Sequence, residues 1–291
     1  MKTSRMVVRG VLALALVTMI PSVFAAKNVT VKGSDTMIVL GQKWAEVYMQ
    51  KNPAAAIQVT GGGSGVGIAA LINGTTDIAN SSRKVKASEL DKAQKAGYYP
   101  EEFKVAMDSL AIVTNAANPI KELSLKQIQG IYTGRINNWN EVGGPNQSIL
   151  RYCRESSSGT YTFLKENVLK NQDYAADCQT MPGTSAVANA VSKDPAGIGY
   201  GGAAYYIKQP GVKILSVKKD DKSPAINPVK ADGTLDYEAA WSGTYPIWRY
   251  LYMYTGFKPK GDMKAYLDWI LSPEGQKIVE EIGYVPLPLK K

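Results

Sequence analysis

Residues 29–47 read Val29-Thr30-Val31-Lys32-Gly33-Ser34-Asp35-Thr36-Met37-Ile38-Val39-Leu40-Gly41-Gln42-Lys43-Trp44-Ala45-Glu46-Val47. A short β-branched run ends in a small polar turn, and Met37, Leu40, Trp44 and Val47 then recur at helical spacing. The same unit follows at once. Ile57-Gln58-Val59-Thr60 is strand-like, Gly61 to Gly67 form a glycine-rich turn, and Ile68, Leu71 and Ile72 mark a helix stopping at Asn73-Gly74. Asp77-Ile78-Ala79 leads into a third strand end. Strands alternating with helices in this way imply a largely parallel sheet covered on both faces, so the chain reads as α/β.

Further along, Lys104 to Thr114 is an apolar strand long enough to pass from one lobe into another. Leu123 to Asn140 reads as a helix and a polar turn, and Arg151 to Cys153 as a strand. Val187 to Val191 is helical, and Gly197-Ile198-Gly199-Tyr200-Gly201 is a tight strand whose glycines allow close approach of another surface. Val212 to Val217 and Pro246 to Thr255 are strand-like. A terminal helix spans about residues 262–282, interrupted near Ser272-Pro273. No internal repeat or low-complexity tract is present.

The ends and the composition restrict the function. Lys2, Arg5 and Arg9, the apolar run Gly10 to Ile20 and the small residues around Val23-Phe24-Ala25-Ala26 form a secretory leader, taken here as residues 1–25. Its apolar run is short for a bilayer span. No cysteine adjoins the cleavage site, so lipid attachment is not expected, and the mature chain is read as exported and soluble. The leader carries three of the net +9 charges. Its loss leaves a modest excess that suits anionic ligands or plain solubility, and scattered basic residues with export disfavour nucleic acid. Histidine is absent. Ser–His and Cys–His catalysis are therefore excluded, and a zinc site would need cysteine or carboxylates alone. Cys153 and Cys178 are the only cysteines; export favours one disulfide, with two buried thiols as the alternative. Such a loop would contribute about 3–4 kcal/mol in the chain-entropy picture.

Polar donors gather at four strand ends. Arg154-Glu155-Ser156-Ser157-Ser158-Gly159-Thr160-Tyr161 joins a guanidinium and three hydroxyls to a helix start marked by Tyr161, Leu164 and Val168. The first N–H groups of a helix lack internal partners, and an N-terminus of this kind accepts anions. Gly33-Ser34-Asp35-Thr36 is the second, with Ser34 or Asp35 as a simple N-cap in the bland reading. Gly61-Gly62-Gly63-Ser64-Gly65-Val66-Gly67 is the third. It fails the dinucleotide spacing, lacks the Gly-Lys-Ser/Thr of a P-loop, and has Val66 where a nucleophile elbow needs glycine. Asn80-Ser81-Ser82-Arg83 is the fourth. Each alone fits an ordinary turn or cap. Together, beyond the carboxyl ends of strands, they point to one small oxyanion.

These residues resemble the periplasmic phosphate-binding proteins that serve phosphate-specific ABC importers. The resemblance covers nearly the whole mature chain. It rests on Gly33-Ser34-Asp35-Thr36, Gly63-Ser64-Gly65, Asp77-Ile78-Ala79 with Ser81-Ser82-Arg83, Arg154 with Ser158-Gly159-Thr160, Gly197-Ile198-Gly199-Tyr200 and Gly283-Tyr284-Val285-Pro286-Leu287-Pro288. It implies a type II periplasmic-binding-protein fold, with two mixed-sheet lobes and a ligand cleft between them. Lobe 1 would comprise residues 26–108 and 212–291, and lobe 2 residues 109–211. It also implies a monomeric, cofactor-free and metal-free, non-enzymatic carrier of inorganic phosphate that docks on an inner-membrane ABC permease.

By position, Ser34, Asp35, Thr36, Ser64, Ser82 and Arg83 would bind phosphate from the first lobe. Arg154, Ser158, Gly159 and Thr160 would bind it from the second. Some family members carry an aspartate at the position of Ser82, where it accepts the ligand's proton. Asp35 would take that role here, unless it is only an N-cap, and Arg83 would reach the ligand or pair with a carboxylate such as Asp35. The rival functions are binding of another tetrahedral oxyanion and a phosphate-linked surface adhesin.

Overall fold

The computed structural model describes residues 28–288, so the leader expected at residues 1–25 lies outside the described residues. The quoted stretch folds as strand β1 (Asn28–Gly33), a 3-10 turn (Asp35–Met37) and helix α1 (Ile38–Lys51). Leu40, Gly41, Trp44, Ala45 and Tyr48 of α1 are buried. They fall on one face because residues three and four apart lie side by side on a helix. Strand β2 (Ala56–Thr60), α2 (Ser64–Ile72), β3 (Ile78–Ser81) and α3 (Ala87–Lys95) continue the alternation. Both β2 and β3 run parallel to β1.

Strand β4 (Glu101–Asn115) ties the molecule together. Every residue from Val105 to Asn115 is buried, as a strand covered on both faces requires. Its first part, Glu101–Ser109, pairs antiparallel with a strand from near the C-terminus, and Leu110–Thr114 pairs with a strand of the middle segment. The middle elements are β5 (Glu122–Ser124), α4 (Leu125–Tyr132), β6 (Leu150–Arg154), α5 (Gly159–Asn167), β7 (Gln179–Met181), α6 (Thr184–Lys193) and β8 (Gly197–Gly202). There follow β9 (Val212–Ile214), β10 (Ser216–Lys218), β11 (Ala225–Ile226), α7 (Tyr237–Trp241), β12 (Trp248–Thr255), α8 (Gly261–Ile270) and α9 (Pro273–Ile282). The large mixed sheet has the order β2-β1-β3-β12-β4-β8-β6-β7, with β9 also on β4. A small sheet has the order β11-β10-β5.

Two cores lie on either side of the β4 midpoint. Val31, Leu40, Trp44, Ile78, Val105, Leu251, Tyr266 and Val279 belong to one. Leu110, Ile112, Ile128, Trp139, Leu164, Ile198, Leu215 and Val217 belong to the other. The fold is thus the two-lobed, mixed-sheet architecture that the resemblance implied. Residues 212–247, however, keep company with the middle segment. Strand β9 pairs with Val113–Asn115, β10 pairs with β5, and Ala239, Tyr245 and Ile247 join the second core. A hydrophobic strand carries no label for which core it enters, so the pattern alone could not allot this stretch.

The terminal helix is two helices. Ser272 caps α9 through its hydroxyl, Pro273 occupies the first turn, and Gly283 ends it at φ 85°. Trp44 Nε1 donates to Gly275 O at 2.8 Å, which locks α9 onto α1.

Candidate functional site

The four donor segments meet where the two lobes face each other. Gly63 lies at φ 93°, open to glycine alone at little cost, and begins α2. A methyl group there would lie 2.7 Å from Ser157 O, so the glycine permits direct contact between the lobes. Gly65 N donates to Ser157 O at 2.9 Å. Ser64 Oγ accepts from Ser82 N at 3.0 Å and lies 3.4 Å from Ser82 Oγ. Opposite them stands Gly159, the first residue of α5.

Ser158 is the N-cap of α5, and its Oγ accepts from Thr160 N and Tyr161 N at 3.2 and 3.3 Å. A hydroxyl that accepts as a cap keeps its own proton to donate. The Gly159 N–H, at the first helical position, has no carbonyl behind it within the helix. The Ser34 hydroxyl is buried without a hydrogen-bond partner among the described residues, and Ser34 sets no side-chain cap on the turn that follows. Thr36 Oγ1 and Thr160 Oγ1 touch at 2.8 Å from opposite lobes.

Arg154 is fully enclosed and held from several sides. Its Nε and Nη2 bond Glu155 at 3.1 and 2.7 Å, Nη1 donates to Thr184 Oγ1 at 2.8 Å, and Nη2 also donates to Asp35 Oδ2 at 2.8 Å. A guanidinium has five N–H donors; these bonds leave one, on Nη1, for a ligand. Burial works against the Arg154 charge, but the Glu155 hydrogen bond, the Glu155 charge and Asp35 outweigh it and hold its pKa above the usual value. Burial likewise opposes the Glu155 carboxylate, and Arg154 overrides it to keep that pKa low. With two carboxylates against one guanidinium, the site offers donors without a net positive charge.

Asp35 is not the cap of the 3-10 turn but its first residue, and its carboxylate is engaged elsewhere. Its Oδ1 accepts from Gly62 N at 2.8 Å while Oδ2 holds Arg154, and its main-chain oxygen accepts from the Tyr205 hydroxyl at 2.6 Å. Arg83 pairs with neither Asp35 nor the hydroxyl cluster. Glu89 grips it from two oxygens at 2.8 and 2.7 Å, and Lys84 O accepts a further bond. Ser34, Asp35, Thr36, Ser64, Ser82, Arg154, Ser158, Gly159 and Thr160 therefore converge, while the Arg83 guanidinium is engaged by Glu89.

Sequence reasoning missed Glu155, Thr184, Asp108 and Arg249. Asp108 and Arg249 form a buried ion pair at 2.7 Å, and Arg249 Nη2 reaches Thr160 Oγ1 at 3.0 Å. A signal for them existed. Each is a lone charge inside an apolar strand, which is costly unless the two are paired. Cys153 and Cys178 are joined by a disulfide, which anchors β6 immediately before Arg154. Among the described residues, no group of acidic residues and cysteines could hold a metal ion, and no helix is long and apolar enough to cross a membrane.

Comparison with known proteins identifies the family. The model of the PBP superfamily domain matches residues 21–274. The phosphate-binding protein PstS of Pseudomonas aeruginosa is 34% identical over 280 residues, covering 90% of this chain and 84% of the relative. PstS of Staphylococcus epidermidis is 33% identical over 266 residues, covering 89% and 78%. A Clostridium perfringens protein crystallised with bound phosphate superposes with a TM-score of 0.77 at 29% identity, covering 90% of this chain and all of that one. An ABC-type phosphate transport receptor from Vibrio cholerae gives 0.68 at 28% identity, covering 89% of this chain. By sequence and by fold, the chain belongs to the PBP superfamily and, within it, to the PstS family of phosphate-binding proteins.

Proposed function

We propose that the protein binds inorganic phosphate between its lobes and hands it to an ABC-type importer. The observation that carries this reading is the convergence of hydroxyl and N–H donors from both lobes on one enclosed point, around a fixed guanidinium. Ser34, Ser64, Ser82, Ser158, Gly159 and Arg154 donate to the ligand's oxygens, and the hydrogen-bonded Thr36–Thr160 pair supplies one further O–H. Asp35 accepts the proton that hydrogen phosphate carries and sulfate lacks; facing sulfate it would oppose acceptor to acceptor. Arg83 is a buttress for the Ser82 turn. The sequence holds no histidine and no nucleophile elbow to support a chemical step. Among the described residues no group of cysteines and carboxylates could hold a metal ion, and the relatives are binding proteins.

The lobes divide within β4 near Ser109 and again near Ile247. Residues 28–108 and 248–288 form one lobe and residues 109–247 the other, which revises the division read from sequence by moving 212–247. A hinge motion about those two crossings opens and closes the cleft. Residues 1–25 act as a cleaved leader, and the mature chain works outside the cytoplasmic membrane as a monomer.

Calorimetric titration of the mature chain with phosphate, arsenate and sulfate tests the reading. Phosphate should bind with a Kd of about 1 μM or tighter, about −8 kcal/mol, arsenate more weakly, and sulfate without measurable heat. Absence of phosphate binding, or equal affinity for sulfate, overturns it.

A further inference from the structure

We infer that Arg249, held by Asp108, is a positioning residue that turns the Thr160 hydroxyl into an obligate donor and completes a hydrogen-bonded chain across the closed cleft. The inference rests on the phosphate reading of the site.

The chain begins in the sheet. Asp108 and Arg249 are register partners on neighbouring β4 and β12, beside the point where Leu110 N bonds Ile247 O and the chain passes between lobes. Both side chains are 2% exposed. Asp108 Oδ2 accepts from Arg249 Nε at 3.0 Å and from Nη2 at 2.7 Å. The second hydrogen of Nη2 goes to Thr160 Oγ1 at 3.0 Å, and Thr160 Oγ1 lies 2.8 Å from Thr36 Oγ1. The Phe163 ring lies 5.3 Å from the guanidinium carbon and limits where it can move.

Direction follows from the chemistry of the ends. A guanidinium can only donate, so one lone pair of Thr160 Oγ1 is committed to Arg249. The Thr36 and Thr160 hydroxyls share one mutual bond. Whichever of the two donates in it, one O–H hydrogen remains to be presented to an anion, and Arg249 stops Thr160 from turning toward the sheet as a donor. An ion pair this deeply buried contributes little to stability compared with well-packed apolar residues. What an apolar pair could not supply is the bond to Thr160. The chain also spans the hinge. Thr36, Asp108 and Arg249 belong to the first lobe and Thr160 to the second, so opening the cleft parts Thr160 from both Thr36 and Arg249, while the Asp108–Arg249 pair stays whole.

Phosphate titrations of four mature proteins test this: the wild type, Arg249→Lys, Thr160→Val and the double variant. Lysine keeps the charge opposite Asp108 but lacks the planar fork that serves both partners. Arg249→Lys should raise the phosphate Kd about tenfold or more. The double variant should be no worse than Thr160→Val alone, because the lysine effect runs through that hydroxyl. An Arg249→Lys Kd within about twofold of wild type, or losses that simply add, overturns the inference. Failure of the wild type itself to bind phosphate overturns the phosphate reading instead, so the two failures are distinguishable. Should the lysine variant not fold, a neutron structure of the phosphate-loaded wild type decides. A hydrogen on Nη2 directed at Thr160 Oγ1 supports the inference; a Thr160 hydrogen directed toward Arg249 overturns it.

Discussion

Asp35 Oδ2 and Arg154 Nη2 meet at 2.8 Å, an ion pair between residues 119 positions apart that stand on opposite lobes. The contact forms only where the lobes are together, so the same carboxylate that positions the guanidinium also draws the cleft shut. Its second oxygen is anchored by Gly62 N. Such a group is fixed in place before a ligand arrives, which avoids the entropic cost of ordering it on binding.

Asp35→Asn keeps the shape and removes the charge. Arg154 remains tied to Glu155 and Thr184, so the fold should persist. An amide can offer an N–H where the carboxylate offered only acceptors. The preference for phosphate over sulfate should therefore fall by at least about tenfold, read from paired titrations at neutral pH. An unchanged preference removes Asp35 as the proton acceptor.

Gly159→Ala should separate closure from folding. Its methyl group would lie 2.3 Å from Ser64 Oγ and 2.6 Å from Ser82 Oγ, both on the other lobe. The open form feels no such clash. Phosphate affinity should fall roughly ten- to hundredfold, while the melting temperature without phosphate stays near that of the wild type. Small-angle scattering should show the variant remaining extended at phosphate concentrations that compact the wild type. Equal compaction would mean that the glycine is not a contact between lobes.

How much of this was legible depended on how local each signal was. The β1–turn–α1 unit, the glycine loop and the Ser158 cap are written in adjacent residues, so their composition disclosed them. The continuous apolar run of β4 announced a strand buried on both faces. Pairings across the cleft left no such trace. Arg83 found Glu89 six residues away and Arg154 found Asp35 across the cleft, although a carboxylate–guanidinium pattern permits either match. The Asp108–Arg249 pair was hidden for the opposite reason, since a single charge barely alters a strand's apolar reading. Residues 212–247 consist of short strands and turns whose partners are set by the tertiary fold.

Salt should scarcely affect binding. Arg154 is already matched by Asp35 and Glu155, and Arg249 by Asp108, so the ligand is held by oriented dipoles in an enclosed place. Raising the ionic strength from about 0.01 M to about 1 M shortens the screening length from about 30 Å to about 3 Å. At fixed pH the phosphate Kd should change by less than about threefold across that range. A steep rise in Kd with salt would show that long-range attraction, and not the donor ring, supplies the affinity.

Alkaline pH should unfold the protein through its buried tyrosines. Burial, with Asp35 nearby, pushes the Tyr205 hydroxyl up to about 12. Burial with Glu102 and Tyr250 raises Tyr252 to about 12. Tyr132, Tyr245 and Tyr284 are also pushed well above the usual value, chiefly by burial. In the unfolded chain each titrates near 10. A folded-state pKa raised above the unfolded one means that the neutral form is favoured by the fold. The stabilisation is complete below about pH 10 and is lost as the pH rises toward the folded values, because only the unfolded chain releases its protons in that window. The melting temperature should therefore fall steeply between about pH 10 and about pH 12. Tyrosinate absorbance from these residues should appear together with loss of the circular dichroism signal. If tyrosinate from the buried set formed well before unfolding, their hydroxyls would titrate freely in the folded state, and another group would have to account for the alkaline limit.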